Sequence, residues 1–289
     1  MIRRFLYSPL CIATLLTPNM ASADTVSVLY AGSLLNLMEH SVGPAFNKAT
    51  GDTFLGFAAG SNALVNQIKG QLRRGDVFIS ANPVVNDSLM GAANGDWVSW
   101  YVNFAQSPLV IGYNPSSKFA ADLKSRPWYA VMQEPGIRIG RTDPNLDPKG
   151  ALTIQLLDHA EQVYNQPGLA QKILGGSSNP AQVSLEETLV GRLQSGQLDV
   201  GLFYSTETSD LRIPSISLPP EVSLSAHYTA TVLRNAASPA GATRFVGFLL
   251  GAQARALMQG HGLDIVKPSV TGDVSKMPPQ LRSEVEAVK

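Results

Sequence analysis

A single cysteine, Cys11, is all this chain carries, and it falls within the first 23 residues. Those residues read as a secretory leader. Arg3 and Arg4 supply a positive start, Leu10–Leu16 a short apolar run, and Ala21-Ser22-Ala23 a small-residue cleavage site that leaves Asp24 first. The apolar run is too short to span a bilayer. Leu10, just before Cys11, is larger than the small residue a lipid-acylation site shows there, so no lipid anchor is read. Beyond the leader no thiol remains, which excludes cysteine catalysis and thiolate metal sites. A domain of this size can be stable on core burial alone, so the lack of disulfides does not argue against export. A cleaved leader on a chain without disulfides points to a bacterial periplasm.

Charge of one sign is also missing. The chain has 22 basic and 22 acidic residues, a formal net charge of +0, and only 15% charged residues. That balance offers no attraction for nucleic acid or for an anionic membrane surface, and no insertion into a membrane is expected. His40, His159, His227 and His261 show no metal-ligand spacing. On its helical face with Leu152 and Leu156, His159 is expected to be partly buried. Metalloprotease, nucleophile-elbow and phosphate-loop signatures are absent, as are repeats and low-complexity tracts. With no nucleophile–base pair to name, the chain is read as a binding protein rather than an enzyme, and no cofactor is expected.

What is present is one grammar, used repeatedly. Val26–Ser33 (VSVLYAGS) is an apolar strand run ending in small residues and a hydroxyl, followed by leucines at helical spacing. Strand, tight turn, hydroxyl and helix together put unsatisfied N–H groups of a helix start beside a serine Oγ, a ready anion site. Phe57–Ser61 (FAAGS), Val77–Ser80 (VFIS) and Ile137–Thr142 (IRIGRT) repeat it. Such alternation predicts an α/β fold with parallel strands and a ligand outside their carboxyl ends.

Along the chain, Leu34–Lys48 predicts a helix bent near Gly43-Pro44, and Asn62–Leu72 a second helix. Val84–Ala93 predicts a short third. The aromatic block Trp97–Phe104 is read as core and interdomain packing in preference to a stacking platform. Asp147-Pro148 is an N-cap with proline at the first helical position, opening a helix over Ala151–Tyr164. Ser184-Leu185-Glu186-Glu187 fits a capping box. Asp199–Thr206 predicts a buried strand with Tyr204 near its carboxyl end. Thr243–Met258 predicts one amphipathic helix, and the proline-bearing tail past Lys267 a loosely held end.

Several of these residues together resemble the molybdate/tungstate-binding group of periplasmic solute-binding proteins of ABC importers. The matching points are Ala31-Gly32-Ser33, Gly60-Ser61, Asp76–Ala81, Gly140-Arg141-Thr142-Asp143-Pro144 with Asp147-Pro148, and the strand ending at Tyr204. GRTDPNLDP is the most specific of them. The resemblance spans most of Val26 to about Val266. It implies a two-lobed type II binding-protein fold, with mixed sheets, helices on both faces and an oxyanion in the interlobe cleft. Lobe one would be residues 24–107 with 229–289, and lobe two residues 108–228. The implied ligand set is Ser33, Ser61 and, more weakly, Ser80 from lobe one, with Tyr204 from lobe two. The backbone at Lys149-Gly150 and around Glu187 would add donors.

Two departures stand out. Where archaeal-type members place a glutamate immediately before the tyrosine, this chain has Phe203, and their DPCG turn is DPKG here, with Lys149. Asp147 is read first as a cap, since an inward carboxylate would repel a dianion unless it ligated the oxyanion's metal atom directly. Arg141 and Asp143 are read as a pair, with Arg141 able to steer anions at the cleft mouth. Lys149 is read as a solvated lysine at a helix start. The implied partners are a molybdate or tungstate ion and the membrane permease, with the protein itself a monomer. The alternatives are another tetrahedral oxyanion or a small organic anion on the same fold, and, from a different class, a secreted α/β hydrolase.

Overall fold

The computed structural model describes residues 23–287; all of the expected leader but Ala23 lies outside them. The described strands are β1 (Thr25–Ala31), β2 (Thr53–Ala59), β3 (Val77–Ser80), β4 (Trp100–Tyr113), β5 (Ile139–Thr142), β6 (Val183–Ser184), β7 (Val200–Tyr204), β8 (Ser215–Ser217), β9 (Ser225–Val232) and β10 (Asp264–Gly272). They run in the order β2-β1-β3-β9-β4-β7-β5-β6, with β8 and β10 also pairing to β4. The fold is mixed α/β and two-lobed.

Strand β4 is what the two halves share. Its first part, Trp100–Pro108, pairs antiparallel with β9 and β10, and its last part, Leu109–Tyr113, pairs with β7 and β8. Trp100, Tyr101 and Phe104 are buried along it, so the aromatic block is core packing. In the first half β2, β1 and β3 run parallel; in the second, β7, β5 and β6 do. Parallel strands are covered on both faces, hence the largely apolar runs of β1 and β3.

Several elements differ from the sequence reading. After β1 the chain is helical from Gly32 to Thr50, with a π turn over Met38–Val42 directly before Gly43-Pro44. The widened turn, closed by Gly43 N–H on the Met38 carbonyl, accommodates the missing proline N–H without breaking the run. The third helix is shorter than expected, Pro83–Asp87, capped by Asn82 and followed by a separate 3₁₀ turn at Ala92–Asn94. The expected Thr243–Met258 helix is two, Pro239–Leu250 and Ala252–Gly260, because Gly251 is extended (φ −74°, ψ 164°). The tail is not loose. β10 pairs with β4, and Pro279 opens a helix to Ala287 that buries Leu281. Among the described residues no helix is long and apolar enough to cross a membrane.

Two features of this frame yield measurable outcomes. The helix Pro148–Val163 is pressed onto the end of β5, and a Cβ at Gly150 would lie 2.4 Å from the Thr142 carbonyl oxygen and 2.7 Å from Pro144 N. Both are backbone atoms, so Gly150→Ala is expected to cost about 1–3 kcal/mol in urea unfolding. The second feature is Arg244, whose Nε donates to Asp52 Oδ2 at 2.7 Å while Nη2 donates to Asp52 Oδ1 (2.9 Å) and Asp24 Oδ2 (2.8 Å). Hydrogen bonding from Arg244 holds the Asp52 carboxyl below its ordinary value of 3.8. A depressed carboxylate adds stability above its unfolded pKa and loses it as pH falls through the folded one. Arg244→Met is therefore expected to be less stable than the parent at pH 7, with the urea midpoints converging as pH drops from about 4 towards 2.

Candidate ligand-binding cleft

The carboxyl ends of β1, β2 and β3 face those of β5, β6 and β7 across one cleft. Each end leads into a helical start: Gly32, Ser61 and Pro83 on one side, and Pro148, Glu186 and Ser205 on the other. Helix N-termini present free N–H groups and the positive end of the macrodipole. Ala63 N–H donates to the Leu146 carbonyl at 3.0 Å, so the Ser61–Lys69 helix touches the turn that leads into Pro148. At Gly60 a Cβ would stand 2.5 Å from that same carbonyl and 3.2 Å from Asp147 Oδ2. At Gly32 it would meet Glu186 Oε2 at 2.5 Å. Only glycine lets the two sides approach this closely.

The hydroxyls read from sequence gather around this contact. Ser33 Oγ shares a hydrogen bond with Tyr228 OH (3.0 Å), and the Tyr228 ring meets the Tyr204 ring edge-on, with centroids 6.3 Å apart. Tyr204 is buried, and its hydroxyl has no hydrogen-bond partner among the described residues. Ser61 Oγ accepts from Ala81 N–H at 3.2 Å. Burial, followed by nearby carboxylates, raises the pKa of both tyrosines well above the ordinary value, so each hydroxyl keeps its proton. Ser80 turns inward to its own strand end, donating to the Asn82 carbonyl (2.7 Å) and bonding Thr229 Oγ1 (2.9 Å). Its role is to fix β3 against β9.

Lys149 is not solvated. It is wholly buried, and its Nζ donates to Glu207 Oε1 (2.7 Å), Glu207 Oε2 (2.9 Å) and Glu186 Oε1 (3.3 Å). Burial alone would lower its pKa, but Glu207, Glu186 and Asp147 outweigh that and hold it above the ordinary lysine value. Asp147 is the N-cap: its Oδ1 accepts from Lys149 N–H (2.7 Å) and from Thr142 Oγ1 (3.0 Å). Gly150 N–H bonds back to the Asp147 carbonyl (3.1 Å). The backbone donors at Lys149 and Gly150 are thus committed to the cap.

Glu187 is exposed, and its neighbour Glu186 is the inward residue. The capping box expected at Ser184 is absent. Leu185 is the N-cap, and Ser184 Oγ instead accepts from Arg192 Nη1. Phe203, immediately before Tyr204, is buried in apolar packing with Leu189 and Val110. Carboxylates come instead from Glu186 and from Glu207, which also accepts Tyr204 N–H at 2.8 Å. Arg141 does not stand at the cleft mouth. It is buried, donating to Gln182 Oε1 (3.1 Å) and to the Gly176 carbonyl (2.8 Å) rather than to Asp143, whose Oδ1 accepts Asn145 N–H. His159 is exposed, its Nε2 2.9 Å from the Glu221 carbonyl.

Sequence reasoning missed Tyr228, Glu186 and Glu207. Glu207 had a signal, since a glutamate at the third position of a helix commonly reaches back to its start. Tyr228 had none; it arrives from β9, 195 residues beyond Ser33. Among the described residues no group of three or more His, Cys, Asp or Glu is placed to hold a metal ion. Ser41 Oγ lies 2.8 Å from His261 Nε2, and Asp210 Oδ1 lies 2.5 Å from His261 Nδ1 but out of line for a hydrogen bond. Of the three, Ser41 lies on the π turn, His261 follows the Ala252–Gly260 helix and Asp210 ends the Ser205–Asp210 helix. A cavity of about 280 Å³ flanks the cleft, lined by Ser33, Asn36, His40, Glu186 and Glu207 among others.

This arrangement of facing strand ends and helix starts has counterparts among known proteins. An uncharacterized solute-binding protein of Petrotoga mobilis is 28% identical over 89% of this chain and 88% of its own length. The molybdate/tungstate-binding protein WtpA of Thermococcus kodakarensis is 24% identical over 79% of this chain and 77% of its own. Among solved structures, the Azotobacter vinelandii periplasmic molybdate-binding protein superposes with a TM-score of 0.66 at 18% identity, covering 82% of this chain and 98% of that one. The family model for bacterial extracellular solute-binding proteins matches residues 26–264, and the chain belongs to that family.

Proposed function

We propose that this solute-binding protein takes a tetrahedral oxyanion of the molybdate/tungstate class into the cleft and delivers it to the permease of an ABC importer. The observation that supports the reading is the Tyr204 hydroxyl, buried, protonated and without a partner among the described residues, which would share the cleft with Ser33 and Ser61. A neutral O–H aimed into a desolvated space calls for an acceptor, and hydrogen bonds to an ionised acceptor are the strong ones. Ser33, Ser61 and Tyr204 would contact the anion directly, with helix starts adding the field of their dipoles. Asp147, Lys149 and Gly150 would shape the floor of the site through the cap. Similarity to proteins named for molybdate and tungstate supports the choice of cargo.

The lobes, residues 24–107 with 229–289 and 108–228, would close over the ion. The protein would work as a monomer in the periplasm after loss of its leader at Ala23. A second reading keeps the site and changes the cargo to a small organic anion. The 280 Å³ cavity beside Ser33 favours it, since a tetrahedral oxyanion needs less room.

Micromolar molybdate or tungstate is expected to raise the melting temperature strongly, whereas a shift with small carboxylates alone would favour the second reading. No shift with molybdate, tungstate, sulfate or phosphate would sink the proposal. Tyr204→Phe removes the hydroxyl without breaking a hydrogen bond found among the described residues. It should leave the ligand-free melting temperature unchanged or higher and weaken molybdate binding about 10- to 150-fold by calorimetry, the equivalent of about 1.4–3 kcal/mol.

A further inference from the structure

The cleft holds more negative charge than a dianion's receptor should. Asp147, Glu186 and Glu207 are all buried, and the one buried ammonium beside them is Lys149. Counted formally, three carboxylates face one cation where a doubly charged anion is to bind. Charges so placed in a low-dielectric space repel strongly unless one is neutralised.

The hydrogen bonds single out which one. Glu207 takes Lys149 on both oxygens and Tyr204 N–H as well. Asp147 takes Thr142 Oγ1 and Lys149 N–H. Glu186 has a single, longer bond from Lys149 at 3.3 Å, on Oε1, and its Oε2 is buried with no partner among the described residues. That free oxygen lies against Gly32, at the helical start opposite. The ionisable groups facing Glu186 are Asp147 and Lys149 at the Pro148 helix, Glu207 on the Ser205 helix, Tyr204 at the end of β7 and Tyr228 on β9. Glu187 on its own helix, with His40 and Asp210 at the cavity rim, completes the set.

We propose that Glu186 serves the cleft as a neutral carboxylic acid whose Oε2–H donates a hydrogen bond to the bound oxyanion, so that anion and proton are held together. This rests on the oxyanion reading of the site. A carboxyl desolvated beside two other carboxylates keeps its proton into a range where ordinary glutamates have lost theirs, and can then act as a donor. Desolvation and the Asp147 charge, joined by a hydrogen bond to the Asp147 carboxyl and the Glu207 charge, push Glu186 in that direction, against the pull of Lys149. The Oε2 proton converts an oxygen that would repel the anion into one that binds it. Neutral Glu186 leaves Glu207 and Lys149 as a compensated pair.

Two measurements on the full-length protein test this. Calorimetric Kd values for molybdate between pH 6 and 10 should hold steady at low pH. Above the ligand-free pKa of Glu186 they should weaken by about tenfold per pH unit. Glu186→Gln keeps an N–H donor in the acid's place, so it should bind within a few-fold of the parent at pH 6 and lose the pH dependence. Carbon-13 NMR of glutamate labelled at the carboxyl should show a protonated carboxyl at pH 7 that Glu186→Gln removes. If the signal lost in that variant titrates near pH 4.5, or if Glu186→Gln keeps the parent's pH profile, the donor role is overturned. If no oxyanion binds at any pH, the cargo reading falls and the donor role with it, while a protonated Glu186 in the NMR spectrum would still distinguish the two failures.

Discussion

The Lys149 ammonium, sealed between Glu207 and Glu186, is the interaction on which the second lobe's half of the cleft depends. Lys149 sits in the first turn of one helix, Glu186 opens a second, and Glu207 lies in the first turn of a third. One side chain thereby fixes three helix starts relative to each other. Buried ion pairs contribute little net stability compared with apolar packing, but losing one partner leaves an uncompensated charge and costs about 3–5 kcal/mol. What the arrangement secures is position: helix N-termini held at a set distance from the strand ends opposite.

On the proposed reading, that geometry would leave ligand contact to neutral donors. The strand ends of both lobes deliver serine and tyrosine hydroxyls, and the helix starts behind them supply partial positive charge without a full cation facing the ligand. The lysine that is present is already matched by Glu207. A dianion entering here would be held by many directed bonds, each requiring an acceptor oxygen in a particular place. Shape and oxygen placement would then select the proposed cargo in preference to net charge. Gly32 and Gly60 complete the logic from the other side, since any side chain there would hold the lobes apart.

Much of this was legible in the chain because the signals are local. A buried parallel strand, a small-residue turn and a serine hydroxyl fall within eight residues at Val26–Ser33, and Asp147-Pro148 announces its helix in two. Where the sequence misled, the deciding contact was distant. Lys149 looked like a solvated lysine because its carboxylate partners lie 37 and 58 residues further on. The choice between Glu186 and Glu187 turned on which residue opened the helix, a shift of one position that reverses inside and outside. The helix broken at Gly251 kept a continuous apolar face, so periodicity gave no sign of the break. The proline-rich tail looked loose because its strand partner, β4, lies some 160 residues earlier and no local pattern records such pairing.

Arg244 draws Asp24 and Asp52 together, and the Asp24 N–H already donates to Asp52 Oδ1 at 2.9 Å. On the proposed cleavage after Ala23, that amide nitrogen becomes a free amine, protonated over much of the neutral range. Processing by the signal peptidase would then do more than release the chain. It would create a second cation beside Asp52, turning the first residue of the exported protein into a peg that fastens its own end.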